Sequence, residues 1–228
     1  MCPRDRAVRL ADRLTAHFGA PRIRRPDPVE ELVLTILSQN TNDTNRDRAY
    51  ASLLARFGTL DAVRTARSDA IGRAIRVGGL HRQKSARIKA VLQRIHSEQG
   101  KLDVSFLGEM ELDAAIAWLL VSPGVGKKTA GIVMLFSFGK PYFPVDTHIR
   151  RVLTRVGLIN EKGDPHDQAN ALLPRDPTLM STLHLLIIQL GREICRPRKP
   201  DCPNCPIRAE CDWARRIPPS DTTAGGMR

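Results

Sequence analysis

The sequence predicts an all-α protein. Apolar residues recur at helical spacing along most of the chain, no stretch alternates as a half-buried strand would, and Gly and Pro punctuate the breaks between the periodic segments. The N-terminal segment is Arg-rich but carries Asp5 and Asp12 and no Ser before Thr15, so it reads as an amphipathic helix rather than a transit peptide. Pro21 to Pro28 links it to a second helix, whose apolar face is Val29, Leu32, Val33, Ile36 and Leu37. Gly78-Gly79 marks a tight turn. Beyond it Ile88, Val91, Leu92 and Ile95 repeat the helical spacing, as do Leu112, Ala115, Ile116 and Leu119. Pro123-Gly124-Val125-Gly126 makes the next turn, and Gly139 to Pro144 ends the helix that follows it. Ile149, Val152, Leu153 and Val156 form one more amphipathic face. Leu179 to Ile194 is apolar on nearly every side, as a buried helix would be. The Pro-, Ser-, Thr- and Gly-rich tail from Ile217 to Arg228 is expected to be disordered.

A chain of 228 residues with 42% hydrophobic content can bury one large core or two small ones. Aromatics are only 4%, so that core rests on Leu, Ile, Val and Ala. No apolar run is long enough to span a bilayer and no signal peptide is recognisable, so a soluble cytoplasmic protein without a membrane partner is expected. Lys and Arg number 36 against 24 acids, a net charge of +12. That excess favours a polyanionic partner, nucleic acid first, although a solubilising surface would also account for it.

Of the five cysteines, Cys2 stands alone, while Cys195, Cys202, Cys205 and Cys211 follow the spacing Cys-x6-Cys-x2-Cys-x5-Cys. In a reducing compartment four clustered thiols are a metal or cluster site rather than disulfides. Thiolates bind zinc and iron–sulfur clusters alike. A single CxxC knuckle with distant outer ligands suits a cubane better than one tetrahedral ion, and no βαβ context supports a redox pair. Between the first two cysteines, Arg196, Arg198 and Lys199 share a Pro-stiffened loop that could display cations to phosphates.

The segment Ser122 to Ala130 places Gly124, Val125 and Gly126 between two helices, followed at once by Lys127 and Lys128. Backbone amides of such a hairpin can hold a phosphate without reading sequence. A GxG turn also occurs for purely steric reasons. Lys128 falls in the first turn of the second helix, where the helix N-terminus and the adjacent Lys127 both lower the cost of losing its proton. It could therefore act as a nucleophilic amine, or simply touch phosphate. Asp146, in Val145-Asp146-Thr147-His148, precedes a helix and serves either as its N-cap or as a functional carboxylate.

Taken together these features resemble the endonuclease III family of the helix-hairpin-helix glycosylase superfamily, from about Val29 to Trp213. Four blocks carry the likeness: Leu37-Ser38-Gln39-Asn40-Thr41-Asn42-Asp43, Pro123 to Ala130, Val145 to His148, and the cysteine spacing. The resemblance implies an all-α, two-domain fold. A six-helix domain at 28–140 would carry the hairpin; residues 1–27 and 141–215 would form a domain holding a 4Fe–4S cluster, and 216–228 a tail. It implies a monomer that binds double-stranded DNA containing damaged bases or abasic sites, associated with the nucleoid, and flips the damaged nucleotide out of the stack. Lys128 matches the family's Schiff-base lysine and Asp146 its aspartate, implying removal of oxidised pyrimidines followed by β-elimination at the abasic site. Leu80 matches a side chain wedged into the vacated stack. Asn40 stands where many members place Gln, and His81 where a phenol is common. Adenine-mismatch glycosylases of the same superfamily generally lack the lysine and carry a further C-terminal domain. A non-catalytic iron–sulfur DNA-binding module would share everything except the Lys128 and Asp146 pair.

Overall fold

The computed structural model describes residues 3–216, so Cys2 and the tail beyond Arg216 lie outside the described residues. Helices α1 to α12 and short 3-10 turns make up the regular structure, and no strand occurs among the described residues. None of the helices is long and apolar enough to cross a membrane. The chain divides into two compact units, Arg24–Lys140 and a second built from Met1–Ile23 with Pro141–Arg228.

The Arg24–Lys140 unit holds seven α-helices. They are α2 (Pro28–Ser38), α3 (Asp43–Phe57), α4 (Leu60–Thr65), α5 (Ser68–Ala74), α6 (His81–Gln99), α7 (Leu112–Leu120) and α8 (Lys127–Ile132), the last running on into a π-helical segment, Val133–Ser137. Their ends are written in the sequence. Asp27 accepts hydrogen bonds from the amides of Val29 and Glu30, with Pro28 opening the first turn of α2. Asn42 caps α3 and Thr59 caps α4 in the same way. The periodic face of α2 is buried as its spacing requires: Leu32, Val33, Ile36 and Leu37 are each at most 1% exposed. It packs against α3, α6 and α8 at the centre of the unit. Burying each of these side chains contributes roughly 1.5–3 kcal/mol, so α2 anchors the turns that leave its end.

In the second unit, α1 (Pro3–Phe18) buries Ala7, Leu10, Ala11 and Leu14 against α11 (Pro177–Glu193). Helix α9 (Thr147–Val156) also packs against α11, and α10 (Pro165–Leu172) holds the segment leading into α9 through Asn170. Between Met180 and Gly191 no residue of α11 is exposed, which accounts for its all-round apolar character. Short α12 (Asp212–Arg215) packs on α9 and closes the cysteine loop. Arg6 of α1 ties this end down, donating to the carbonyls of Val156 and Glu210 and to Asp212 Oδ1 at 2.8 Å.

Candidate active site and nucleic-acid interface

Within the Arg24–Lys140 unit three turns converge on one another. The first leaves α2 through Gln39 and Asn40, and Asn40 adopts a left-handed backbone with φ 50°. The second is Gly78-Gly79-Leu80 before α6, where Leu80 also sits at φ 46°. A non-glycine residue in this region costs roughly 1–2 kcal/mol and persists only where its surroundings hold it there. Leu80 is nevertheless 46% exposed, an apolar side chain presented to solvent from a strained turn. His81 begins α6 directly after it, half-buried.

The third turn is the hairpin. Val125 donates from its amide to Ser122 O at 3.1 Å, and its side chain is buried. Gly124 takes φ +81°, and a Cβ there would stand 2.3 Å from Arg87 Cδ, so the position demands glycine twice over. Gly126 opens α8 with no side-chain cap, and nothing lies within 4 Å of where its Cβ would be. The start of α8 is therefore open on the side where a Gly126 side chain would stand. Lys127 and Lys128 follow, both half-buried. The Lys128 ammonium makes no hydrogen bond or ion pair among the described residues, so its amine is not committed to a structural carboxylate.

In the second unit, Phe143, Pro144 and Val145 are buried and lead directly into Asp146. Asn170 brackets Phe143, accepting from its amide at 2.7 Å and donating to its carbonyl at 3.1 Å. His184 Nδ1 lies 3.1 Å from Pro144 O. Held in this way, Asp146 caps α9: its Oδ1 accepts from the Ile149 amide at 2.7 Å. The second carboxylate oxygen has no hydrogen-bond partner among the described residues, and the side chain is half-exposed. Capping and a chemical role are therefore compatible in one residue.

Cys195, Cys202, Cys205 and Cys211 line a single cavity of about 360 Å³, counting its open mouth, with Val152, Leu190, Ile194 and Ile207 among its walls. Burial above all, together with the neighbouring thiols, pushes Cys205 up to about 11. Burial raises Cys202 as well, so these two thiols favour the protonated form unless a cationic group enters to stabilise thiolate. Among the described residues no three His, Cys, Asp or Glu side chains close around a single ion.

The loop from Arg196 to Lys199 is exposed. Arg155 fixes its backbone, donating to Arg196 O at 2.8 Å and Pro197 O at 2.9 Å, and also to Cys195 Sγ at 3.2 Å. Arg151 adds a bond to Cys195 O at 2.9 Å. These two arginines escaped the sequence reading. They stand on α9 between the members of its apolar face, where an amphipathic helix ordinarily carries solvated charge.

A glycine hairpin followed at once by two lysines, within an all-α unit, is the kind of site that can hold a phosphate backbone without reading sequence. Residues 33–175 match the family model described as HhH-GPD superfamily base excision DNA repair protein. The endonuclease III of Thermotoga maritima is 32% identical over 192 residues, covering 83% of this chain and 85% of that protein. The endonuclease III of Sulfolobus acidocaldarius is 35% identical over 80% of each. A solved non-covalent endonuclease III–DNA complex is 25% identical, with a TM-score of 0.75, over 94% of this chain and 98% of that one. A thermostable thymine-DNA glycosylase, 22% identical with the same TM-score, shares the fold. The chain belongs to the endonuclease III family of the HhH-GPD superfamily, and it is a base-excision DNA glycosylase.

Proposed function

We propose that this chain removes oxidised pyrimidines from duplex DNA and then cuts the strand at the abasic site through an imine on Lys128. The observation that carries the reading is the Lys128 amine, half-buried in the first turn of an uncapped helix beside the hairpin and engaged by no carboxylate among the described residues. Once deprotonated, its Nζ attacks C1′ of the sugar. The bond from C1′ to the base breaks, and the base leaves with the electron pair and takes up a proton. Ring opening gives a protonated imine between Nζ and C1′. Loss of a proton from C2′ then expels the 3′ phosphate by β-elimination, and water releases the enzyme. The Asp146 carboxylate steadies positive charge that develops on the sugar, using the oxygen that Ile149 leaves unoccupied.

Phosphates are gripped by the hairpin amides of Gly124 to Lys127 and by Arg196, Arg198 and Lys199, contacts that carry no sequence information. Leu80 fills the gap left by the flipped base, with Asn40 and His81 beside it at the ends of their turns. The enzyme works as a monomer on nucleoid DNA in the cytoplasm.

Cys195, Cys202, Cys205 and Cys211 are the ligands of a 4Fe–4S cluster. Four soft thiol donors lining one apolar-walled cavity support a cluster there. When bound, the cluster supplies the crosslink that folds the cationic loop.

Duplexes carrying thymine glycol, uracil, an adenine mismatch or a preformed abasic site test the reading together. Release of the oxidised pyrimidine and cleavage at the abasic site are expected. Release of mispaired adenine without strand cleavage would overturn it, as would binding with no chemistry on any duplex. Purified protein should be brown, with visible charge-transfer absorption; a colourless protein holding stoichiometric zinc contradicts the cluster assignment.

A further inference from the structure

Helix α6 carries a lysine where its apolar face should continue. Lys84 stands one turn before Ile88 and is fully buried, at 0% exposure, yet no carboxylate among the described residues pairs with its ammonium. Instead Nζ donates to two backbone carbonyls, Leu37 O and Gly78 O, each at 2.7 Å. Burial pushes the pKa of this lysine below its ordinary value. A charge held by carbonyls alone is a costly way to fill a core, because its desolvation is offset only by those bonds. The two carbonyls belong to the end of α2, just before Gln39 and Asn40, and to the turn that holds Leu80 in its left-handed conformation.

One turn further along α6, Arg87 reaches the other pair of turns. Its guanidinium donates to Gln39 Oε1 at 2.7 Å, while Gln39 Nε2 donates to Gly124 O at 2.9 Å. The aliphatic part of Arg87 lies against Gly124, in the space a Cβ would need. Gln39 thus bridges the first turn to the hairpin, and Arg87 sets which way its amide faces.

We infer that Lys84 and Arg87 are positioning residues that join the turns bearing Asn40, Leu80 and Gly124 into one rigid DNA-contacting platform. Neither touches the reacting atoms. Lys84 fixes the wedge relative to the end of α2, and Arg87 with Gln39 fixes the hairpin relative to the same end. Spacing between a phosphate grip and a wedge then becomes a property of α6, in place before DNA arrives. The inference rests on the reading that these turns face DNA.

The test uses the full chain as Lys84→Met, Arg87→Met and Arg87→Lys, with amide hydrogen exchange and kinetics on a thymine glycol duplex. Lys84→Met should speed exchange at the Gln39, Thr41, Gly78 and Gly79 amides about tenfold or more, with the amides of α3 and α7 unchanged. It should also slow excision from intact duplex at least about fivefold more than cleavage at a preformed abasic site, where no base needs extruding. Arg87→Met should speed exchange at Gln39 and Val125 and raise KM about tenfold with little change in kcat, and Arg87→Lys should recover most of that loss. Uniformly faster exchange through the helices would make both side chains ordinary contributors to stability and overturn the inference. Unchanged exchange at the turns, or faster exchange with unchanged kinetics, would overturn it too. Should Lys84→Met fail to fold, the two Arg87 variants decide. Leu80→Ala is run alongside: if it leaves excision unaffected, the DNA-facing reading falls, while the exchange data still judge the clamp itself.

Discussion

The two helix starts that carry the proposed chemistry are built in opposite ways. Helix α8 begins at Gly126, which has no side chain to cap it, whereas α9 begins at Asp146 with a carboxylate bonded to the Ile149 amide. Both N-termini carry the same partial positive charge. At α8 that charge meets no N-cap side chain and two lysines, an arrangement unfavourable for the isolated helix and suited to an incoming phosphate. At α9 it is already partly satisfied from within the chain, and the residue that satisfies it keeps one oxygen available. One start thus has no capping side chain, and the other is completed by a carboxylate that keeps one oxygen available.

Substitutions at the capped start should separate its two duties. Asp146→Asn keeps a good cap and loses the charge; turnover should drop about a hundredfold, in the range of a lost electrostatic stabiliser, with thermal stability hardly changed. Asp146→Ala should lose the same activity and, in addition, about 1 kcal/mol of stability from the missing cap, read from denaturant unfolding. If Asp146→Asn turned over normally while Asp146→Ala did not, the cap alone would be the function of this residue.

At the uncapped start the proposed function falls to the backbone. Gly124→Ala forces a side chain into φ +81° and against Arg87. It should cost about 1–2 kcal/mol and weaken binding to undamaged and damaged duplex alike, measured by fluorescence anisotropy. Normal affinity would mean that the hairpin does not grip phosphate. A smaller effect is expected at the cysteine loop. Replacing Arg198 and Lys199 with Ala should weaken binding for every sequence and lower the slope of log K against log salt by about one unit per lost contact at most. A sequence-dependent loss would assign these cations to base contacts.

Local features were readable from the sequence because short-range chemistry writes them. The hairpin glycines, the Asp146 start of α9, the periodic faces of α2 and α9 and the cysteine spacing all act within a few residues of themselves. The platform was not readable, because its bonds join residues far apart: Lys84 to Leu37 across 47 positions, Arg87 to Gln39 across 48, and Gln39 to Gly124 across 85. One trace did exist. Lys84 occupies the position before Ile88 at which the apolar stripe of α6 should continue, and a charged residue on that stripe signals a buried polar contact. Gln39 left no such trace beside Asn40, and the anchoring roles of Arg151 and Arg155 depend on the fold of a loop more than 40 residues away. The strain at Leu80 was likewise invisible, since a leucine gives no sequence signal of a left-handed backbone.

The central claim is that the amine at the uncapped start of α8 is the nucleophile, and borohydride reduction of the enzyme mixed with abasic duplex tests it most directly. Wild type should form a covalent protein–DNA adduct, which peptide mapping assigns to Lys128. Lys128→Gln should form none while still binding the same duplex. An adduct formed by Lys128→Gln at wild-type efficiency would contradict the account and move the chemistry to another amine, with Lys127 the first to examine.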